Sequence, residues 1–145
     1  MTKKIVIASD HGGFELKEFL VRELKKEGFD IINFGTNSLD SVDYPEYAQK
    51  VAKSILNKEF EKGILVCGTG IGVCISANRF KGIRAGLCHT VDEARLIREH
   101  NDANIICFGG RTTDKKVALE CVKIFMETKF EGGRHKRRID KIDAL

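Results

Sequence analysis

A cysteine stands directly before a loop that contains three glycines in five positions. The stretch LVCGTGIGVCISANRF covers residues 65–80, and the loop after Cys67 comprises Gly68, Thr69, Gly70, Ile71 and Gly72. Because an apolar run leads into the loop and a helical pattern follows it, its backbone N–H groups would point into one pocket, where they could bind an anion or an oxyanion. The positive end of the helix also favours the thiolate form of Cys67, which could act as a nucleophile or a base.

Three known motifs fail to match this loop, and each mismatch involves Val73. A dinucleotide-binding GxGxxG needs a small residue there and belongs after the first strand. A P-loop needs a lysine and a hydroxyl residue after its last glycine, where Val73 and Cys74 stand. A cysteine phosphatase would place an arginine six residues after its nucleophile. An anion-binding loop remains, with the simpler alternative that Cys67 is a small buried residue at the end of a strand.

Other polar residues follow apolar runs or close helical patterns. Asp10 and His11 precede Gly12 and Gly13, and Arg111 follows a further glycine pair. His100 and Asn101 end the fourth helical pattern, so we expect them at the opposite rim of the sheet or near a neighbouring subunit. Arg134 and Arg138 lie one helical turn apart, which suits a phosphate group.

Each of these residues also has a plain structural interpretation. Asp10 could be no more than a helix cap, and His100 could be no more than a cation that balances a helix dipole. Arg111 could be a surface residue in a turn, and the arginine segment could be a solvated tail.

Bulk properties indicate one ordinary globular domain spanning residues 1–145. The chain has 145 residues, 42% of them hydrophobic and 32% charged, and no apolar run approaches a membrane span. The formal net charge is +4, and residues 134–141 hold five positive charges against one negative, so the rest of the chain is neutral. This distribution argues against nucleic-acid binding and suits one small anion.

Cysteine and histidine usage adds to these expectations. The five cysteines form no CxxC pair, so we expect free thiols and no disulfides. The N-terminus shows no signal-peptide region, so we expect a cytoplasmic protein. The four histidines lie in no zinc-ligand spacing, so the sequence offers no zinc site. Cys74 is expected to pack and not to react.

Hydrophobic periodicity predicts five strand–helix units that would position these residues. Strands are predicted at 5–9, 30–34, 63–66, 84–88 and 104–108. Helices are predicted at 14–26, 45–57, 72–80, 91–99 and 114–128, and a basic tail without an obvious core face begins near residue 131. Strands this uniformly apolar are covered on both faces, so the fold class is α/β: a Rossmann-like three-layer α/β/α sandwich with a five-stranded parallel sheet. Ligands of such folds bind at the carboxyl ends of the strands.

Together these segments resemble the type B ribose-5-phosphate isomerase family, which includes galactose-6-phosphate and allose-6-phosphate isomerases. The resemblance covers nearly the whole chain. It rests on IASDHGGFELK at 7–17, DYPEYA at 43–48, CGTGIG at 67–72, SANRFKGIRA at 76–85, REHNDANI at 98–105, FGGR at 108–111 and EGGRHKRR at 131–138. One branch of that family lacks the cysteine and has a glutamate six positions later; Cys67 and Val73 match the cysteine branch.

The resemblance implies a role for each candidate residue. Cys67 would be the base that moves a proton between C2 and C1 of the open-chain sugar through an enediolate, and Thr69 would relay the proton between the two oxygens. His100 would open the sugar ring. The remaining roles would fall to the amides of Gly68 to Gly72 for the enediolate oxygen, to Asp10, His11 and Asn101 for sugar hydroxyls, and to Arg111, Arg134 and Arg138 for phosphate.

The resemblance also implies homodimers, sometimes tetramers, with active sites at the subunit interface and no metal or cofactor. The expected reaction is reversible isomerisation of D-ribose 5-phosphate and D-ribulose 5-phosphate, in the pentose phosphate pathway. Two alternatives remain at this point: an isomerase of allose or galactose 6-phosphate, and a non-catalytic phosphosugar sensor that uses the same loop.

Overall fold

A computed structural model describes residues 3–145 and contains one sheet of five parallel strands. The strands are β1 (Lys4–Ser9), β2 (Asp30–Asn33), β3 (Gly63–Cys67), β4 (Ala85–Leu87) and β5 (Ile105–Gly109), in the order β2-β1-β3-β5-β4. All four strand pairs are parallel, and β3 and β5 are buried along their whole length. The predicted five-stranded parallel sheet is confirmed. Met1 and Thr2, part of the N-terminus discussed above, lie outside the described residues.

Six helices accompany the strands: α1 (Phe14–Lys26), α2 (Tyr44–Leu56), α3 (Ile71–Ala77), α4 (Val91–Glu99), α5 (Lys115–Glu127) and α6 (Arg134–Asp143). Local signals explain several helix starts. Pro45 occupies the first turn of α2, and the side chains of Thr90 and Asp114 cap α4 and α5. Among the described residues, no helix is long and apolar enough to cross a membrane.

Helices α1 to α5 form two layers, one on each face of the sheet. Alternate residues of β1 point to opposite faces, so Ile5 and Ile7 contact the layer of α1, α4 and α5, while Val6 and Ala8 contact the layer of α2 and α3. Both layers bury continuous apolar surface against the strands. The predicted α/β/α sandwich is therefore confirmed.

The basic tail departs from the prediction, because it folds as α6 and has a buried face. His135 is 6% exposed and Ile139 is 4% exposed, whereas the arginines of the helix point to solvent. The expectation of a tail without a core face is wrong because only one apolar residue marks that face. The other buried side chain is a histidine, which a search for apolar periodicity does not count.

The order of the strands creates a crevice at one edge of the sheet. The chain passes from β1 to β2 on one side, whereas β3 pairs with the other side of β1. Ligands of open α/β sheets bind where the strand order reverses in this way, at the carboxyl ends of the strands. The loops that follow β1 and β3 flank this point.

Candidate active site

Three glycine-rich loops meet at the carboxyl edge of the sheet, after β1, β3 and β5. A Cβ atom on Gly12 would lie 3.0 Å from the backbone nitrogen of Gly68, and one on Gly110 would lie 2.5 Å from the carbonyl oxygen of Gly12. A Cβ atom on Gly110 would therefore clash with the backbone, and one on Gly12 would force the neighbouring loop to shift. The glycines therefore bring the Asp10, Cys67 and Arg111 segments into direct contact, as the sequence predicts.

Cys67 ends β3 with its side chain facing the loop that follows. The residue is only 5% exposed, and its Sγ accepts a hydrogen bond of 3.2 Å from the backbone N–H of Gly70. Gly70 has a φ of 79°, a conformation that glycine adopts without strain. An N–H group aimed at the sulfur would stabilise negative charge that develops there during a reaction.

The loop amides divide into two groups. The N–H groups of Gly70 and Ile71 already donate within the loop, to Cys67 Sγ and to Thr69 Oγ1 (3.2 Å). Within residues 3–145, the N–H groups of Gly68, Thr69 and Gly72 have no acceptor. An anion bound to this loop would therefore meet fewer free amides than the whole loop offers.

Tyr44 covers one side of this loop, a contact that the motif search did not predict. A Cβ atom on Gly72 would lie 2.6 Å from Cε1 of the Tyr44 ring. The only sequence signal for this contact is the tyrosine beside the proline that begins α2.

A 3-10 turn, His11–Gly13, follows β1, and Asp10 is its N-cap residue. Asp10 is buried, and its Oδ1 accepts a hydrogen bond of 3.1 Å from the Gly13 N–H, so the capping interpretation is confirmed. The second carboxylate oxygen can still contact a ligand. His11 Nδ1 accepts a hydrogen bond of 3.2 Å from the Val42 N–H, so the neutral ring has its proton on Nε2 and offers a donor.

Arg111 places a positive charge beside the cysteine loop. Its side chain lies against two of the glycines: a Cβ atom on Gly68 would be 2.7 Å from Nη1, and one on Gly12 would be 3.4 Å from Nη2. The Arg111 N–H also donates to the Gly68 carbonyl at 3.0 Å. An anion at this edge would meet both the guanidinium and the open amides.

The four other cysteines differ in their acidity. A hydrogen bond with Cys107 lowers the pKa of the half-buried Cys74, whereas burial raises the pKa of Cys107. Burial also raises the pKa of Cys88 to about 12 and that of Cys121 to about 11. Cys74 packs against the core as predicted, but it is more readily ionised than an inert core thiol.

His100 and Asn101 lie at the opposite edge of the sheet, as predicted. The Asn101 carbonyl accepts a hydrogen bond of 2.9 Å from Nε of Arg84, the residue before β4. The Asn104 carbonyl accepts one of 2.9 Å from the N–H of Gly63, the first residue of β3. The length of β3, about 13 Å at 3.3 Å per residue, therefore separates these residues from Cys67.

Arg134 and Arg138 share this opposite edge, because α6 packs against the end of α4. The rings of His100 and His135 stack with centroids 4.3 Å apart and planes 14° from parallel. The two arginines flank His135 along the helix and are exposed. One chain thus holds two separate groups of predicted site residues, and it does not bring them together.

One group of side chains in residues 3–145 has the composition of a metal site: His100, Glu131 and His135, with ligand atoms within 4.8 Å of one another. Sequence spacing alone does not predict this cluster. An imidazole binds a metal in the plane of its ring, and two stacked, nearly parallel planes do not converge on one ion. The arrangement therefore suits ring stacking better than metal binding.

Known proteins share this architecture. A family model described as Ribose/Galactose Isomerase matches residues 5–142. Ribose-5-phosphate isomerase B of Escherichia coli (strain K12) is 43% identical over 143 residues, which cover 99% of this chain and 96% of that protein. A crystal structure of a ribose 5-phosphate isomerase from Thermotoga maritima has a TM-score of 0.96 and 53% identity, with 98% of each chain covered.

A ligand complex is among the similar structures. Ribose-5-phosphate isomerase B from Mycoplasma genitalium with bound ribulose-5-phosphate has a TM-score of 0.91 and 42% identity, with 97% of this chain and 94% of that chain covered.

Proposed function

The chain belongs to the ribose/galactose isomerase family, and from that premise we propose that Cys67 is the base of a reversible isomerisation of D-ribose 5-phosphate and D-ribulose 5-phosphate. The protein is a sugar-phosphate aldose–ketose isomerase. The observation that supports Cys67 as its base is the hydrogen bond from the Gly70 N–H to Sγ, inside a loop with further unpaired amides.

Proton transfer is the chemistry that this arrangement favours. The Cys67 thiolate removes the proton from C2 of the open-chain aldose, and the electrons of that C–H bond form the enediolate. The amides of Gly68, Thr69 and Gly72 stabilise the developing negative charge on oxygen. The Thr69 hydroxyl carries the proton of one oxygen to the other, and the Cys67 thiol returns its proton to C1, which yields the ketose.

Substrate binding follows from the groups around the cysteine. Asp10 accepts and His11 Nε2–H donates hydrogen bonds to the sugar hydroxyls, and Arg111 binds the phosphate. None of these contacts requires a metal ion or a cofactor.

We place the second half of the site on another copy of the chain, in a homodimer. His100, Asn101, Arg134 and Arg138 lie too far from Cys67 to reach one sugar phosphate within a single chain. The helix after the cysteine loop exposes Ile71 (52%) and Ile75 (62%), an apolar face beside the site that a second copy would cover. In the dimer, His100 of one chain opens the sugar ring held by the other, and the two arginines bind its phosphate.

The proposed setting is the cytoplasm, in the pentose phosphate pathway. The five free thiols suit a reducing compartment, and a sugar-phosphate substrate suits central carbohydrate metabolism.

The test of this function compares Cys67→Ser with Cys74→Ser. Both changes replace a thiol by a hydroxyl within one segment, but only the Cys67 sulfur accepts a hydrogen bond from the glycine loop. We expect Cys67→Ser to lower kcat for ribose 5-phosphate by about 10²- to 10⁴-fold, and Cys74→Ser to stay within about twofold. Exchange of deuterium from C2 of labelled substrate into water should fall in parallel. Near-normal turnover and exchange in Cys67→Ser would show that another group is the base.

A further inference from the structure

His135 is a buried polar residue that the proposed chemistry does not use. Its side chain is 7% exposed, and its Nε2 atom makes no well-aligned hydrogen bond, although a carboxylate oxygen of Glu131 lies 3.3 Å away. A buried imidazole with so few polar contacts is costly, so a histidine at this position needs a reason. Within residues 3–145, the aromatic ring that stacks on it is that of His100, at a centroid distance of 4.3 Å.

A closed set of contacts holds the two rings together. The backbone N–H of Glu131 donates to the carbonyl of Glu99, directly before His100, at 3.1 Å. Glu131 Oε1 lies 3.3 Å from Nε2 of His135. The segment before α6 is thus attached to the end of α4, and its carboxylate restricts the His135 ring.

The far end of α6 is attached to the same part of the chain. Arg84 Nη1 donates to Asp143 near the end of α6 at 2.7 Å, and its Nε and Nη2 donate to the carbonyls of Asn101 and Asp102 at 2.9 and 3.1 Å. Both ends of α6 are therefore fixed to residues 99–102. The stack therefore forms between two elements that other contacts already hold together.

His100 needs such support, because it is the residue that follows the last turn of α4 and is only half-buried. A side chain at a helix end has few neighbours, and a general acid misplaced by 1 Å loses up to about 100-fold in rate. Stacking against one face of the ring restricts its rotation and leaves the ring edge, which carries both nitrogens, outside the stack.

We propose that His135 is a positioning residue, which holds the His100 imidazole by ring stacking in the orientation needed to protonate the ring oxygen of the sugar. This inference rests on the proposed role of His100. Because its side chain is buried, His135 acts through His100 and does not touch the substrate.

The experiment compares two changes at one position. His135→Phe keeps an aromatic ring for the stack, whereas His135→Leu removes it with little change in volume. Each is assayed on ribose 5-phosphate and on its 4-deoxy analogue, which lacks the hydroxyl that closes the ring and so stays open. We expect His135→Leu to lower kcat on ribose 5-phosphate by about 10- to 100-fold and to leave the analogue within about twofold, with His135→Phe close to wild type on both.

A double-mutant cycle separates positioning from a general structural effect. In a His100→Ala background, His135→Leu should cause no further loss on ribose 5-phosphate, since the residue that it positions is absent. Equal losses on both substrates, or losses that add to those of His100→Ala, would overturn the inference. Glu131→Ala, a change at an exposed residue, should also lower kcat on ribose 5-phosphate selectively, but by a smaller factor. It provides the test if His135→Leu does not fold.

Failure of the proposed function gives a different result. If His100→Ala loses no more activity on ribose 5-phosphate than on the analogue, each measured relative to wild type, the ring-opening role of His100 is wrong. The inference about His135 is then wrong as well. If His100→Ala shows the selective loss and neither His135→Leu nor Glu131→Ala does, only the positioning role is wrong.

Discussion

Two glycines of the cysteine loop, Gly68 and Gly70, differ in what an added side chain would contact. A Cβ atom on Gly68 would meet the end of the Arg111 side chain at 2.7 Å, and that side chain can move away. We therefore expect Gly68→Ala to fold with a loss of less than about 1 kcal/mol but to displace the guanidinium, so that KM for ribose 5-phosphate rises about tenfold while kcat changes less. Steady-state kinetics and thermal unfolding of the variant measure both effects.

Gly70→Ala is the matched control for that prediction. At this position the φ of 79° is unfavourable for alanine, and the added Cβ would lie 2.7 Å from the backbone carbon of Phe108, which cannot move aside. The free energy of unfolding should fall by about 2–4 kcal/mol. A Gly68→Ala variant as destabilised as Gly70→Ala, or one with an unchanged KM, would contradict this division of roles.

Helix α6 presents Arg134 and Arg138 while a single isoleucine, Ile139, secures its buried face. We expect Ile139→Ala to cost about 2–4 kcal/mol locally and to release the helix, so that kcat/KM falls by at least about tenfold. Hydrogen exchange across residues 134–143 should accelerate.

Ile142→Ala provides the comparison on the same helix, because Ile142 is 49% exposed. That variant should keep the exchange protection of α6 and lose less than about 1 kcal/mol. Slow exchange in Ile139→Ala would show that other contacts, such as the Arg84–Asp143 ion pair, hold the helix without the isoleucine.

Most elements could be predicted from the sequence, because apolar runs mark the buried strands and a helical period marks the buried faces of the helices. Apolar runs lie within β1, β3 and β5, and Pro45 and Asp114 mark helix starts. The exception is α6, whose buried face consists of a histidine and one isoleucine. Its position depends on hydrogen bonds to distant residues, as between Arg84 and Asp143, and local periodicity contains no information on such pairs.

The site shows the same limit at the scale of the whole molecule. The residues after β1, β3 and β5 could be placed together from the sequence, since parallel strands end at one edge. The stack of His100 on His135 could not be predicted, because it joins two elements that no shared pattern connects. The structure leaves Cys67 and His100 at opposite edges of the sheet, so a site that uses both needs two chains.

Mixing two inactive variants tests this division directly. Cys67→Ser and His100→Ala homodimers would each lack one part of every site. A mixed dimer would contain one site with both substitutions and one site with neither. Co-expression in equal amounts makes about half of the dimers mixed, so activity on ribose 5-phosphate should recover to about a quarter of wild type. If each chain formed its own complete site, every site in the mixture would lack one group, and no activity would return.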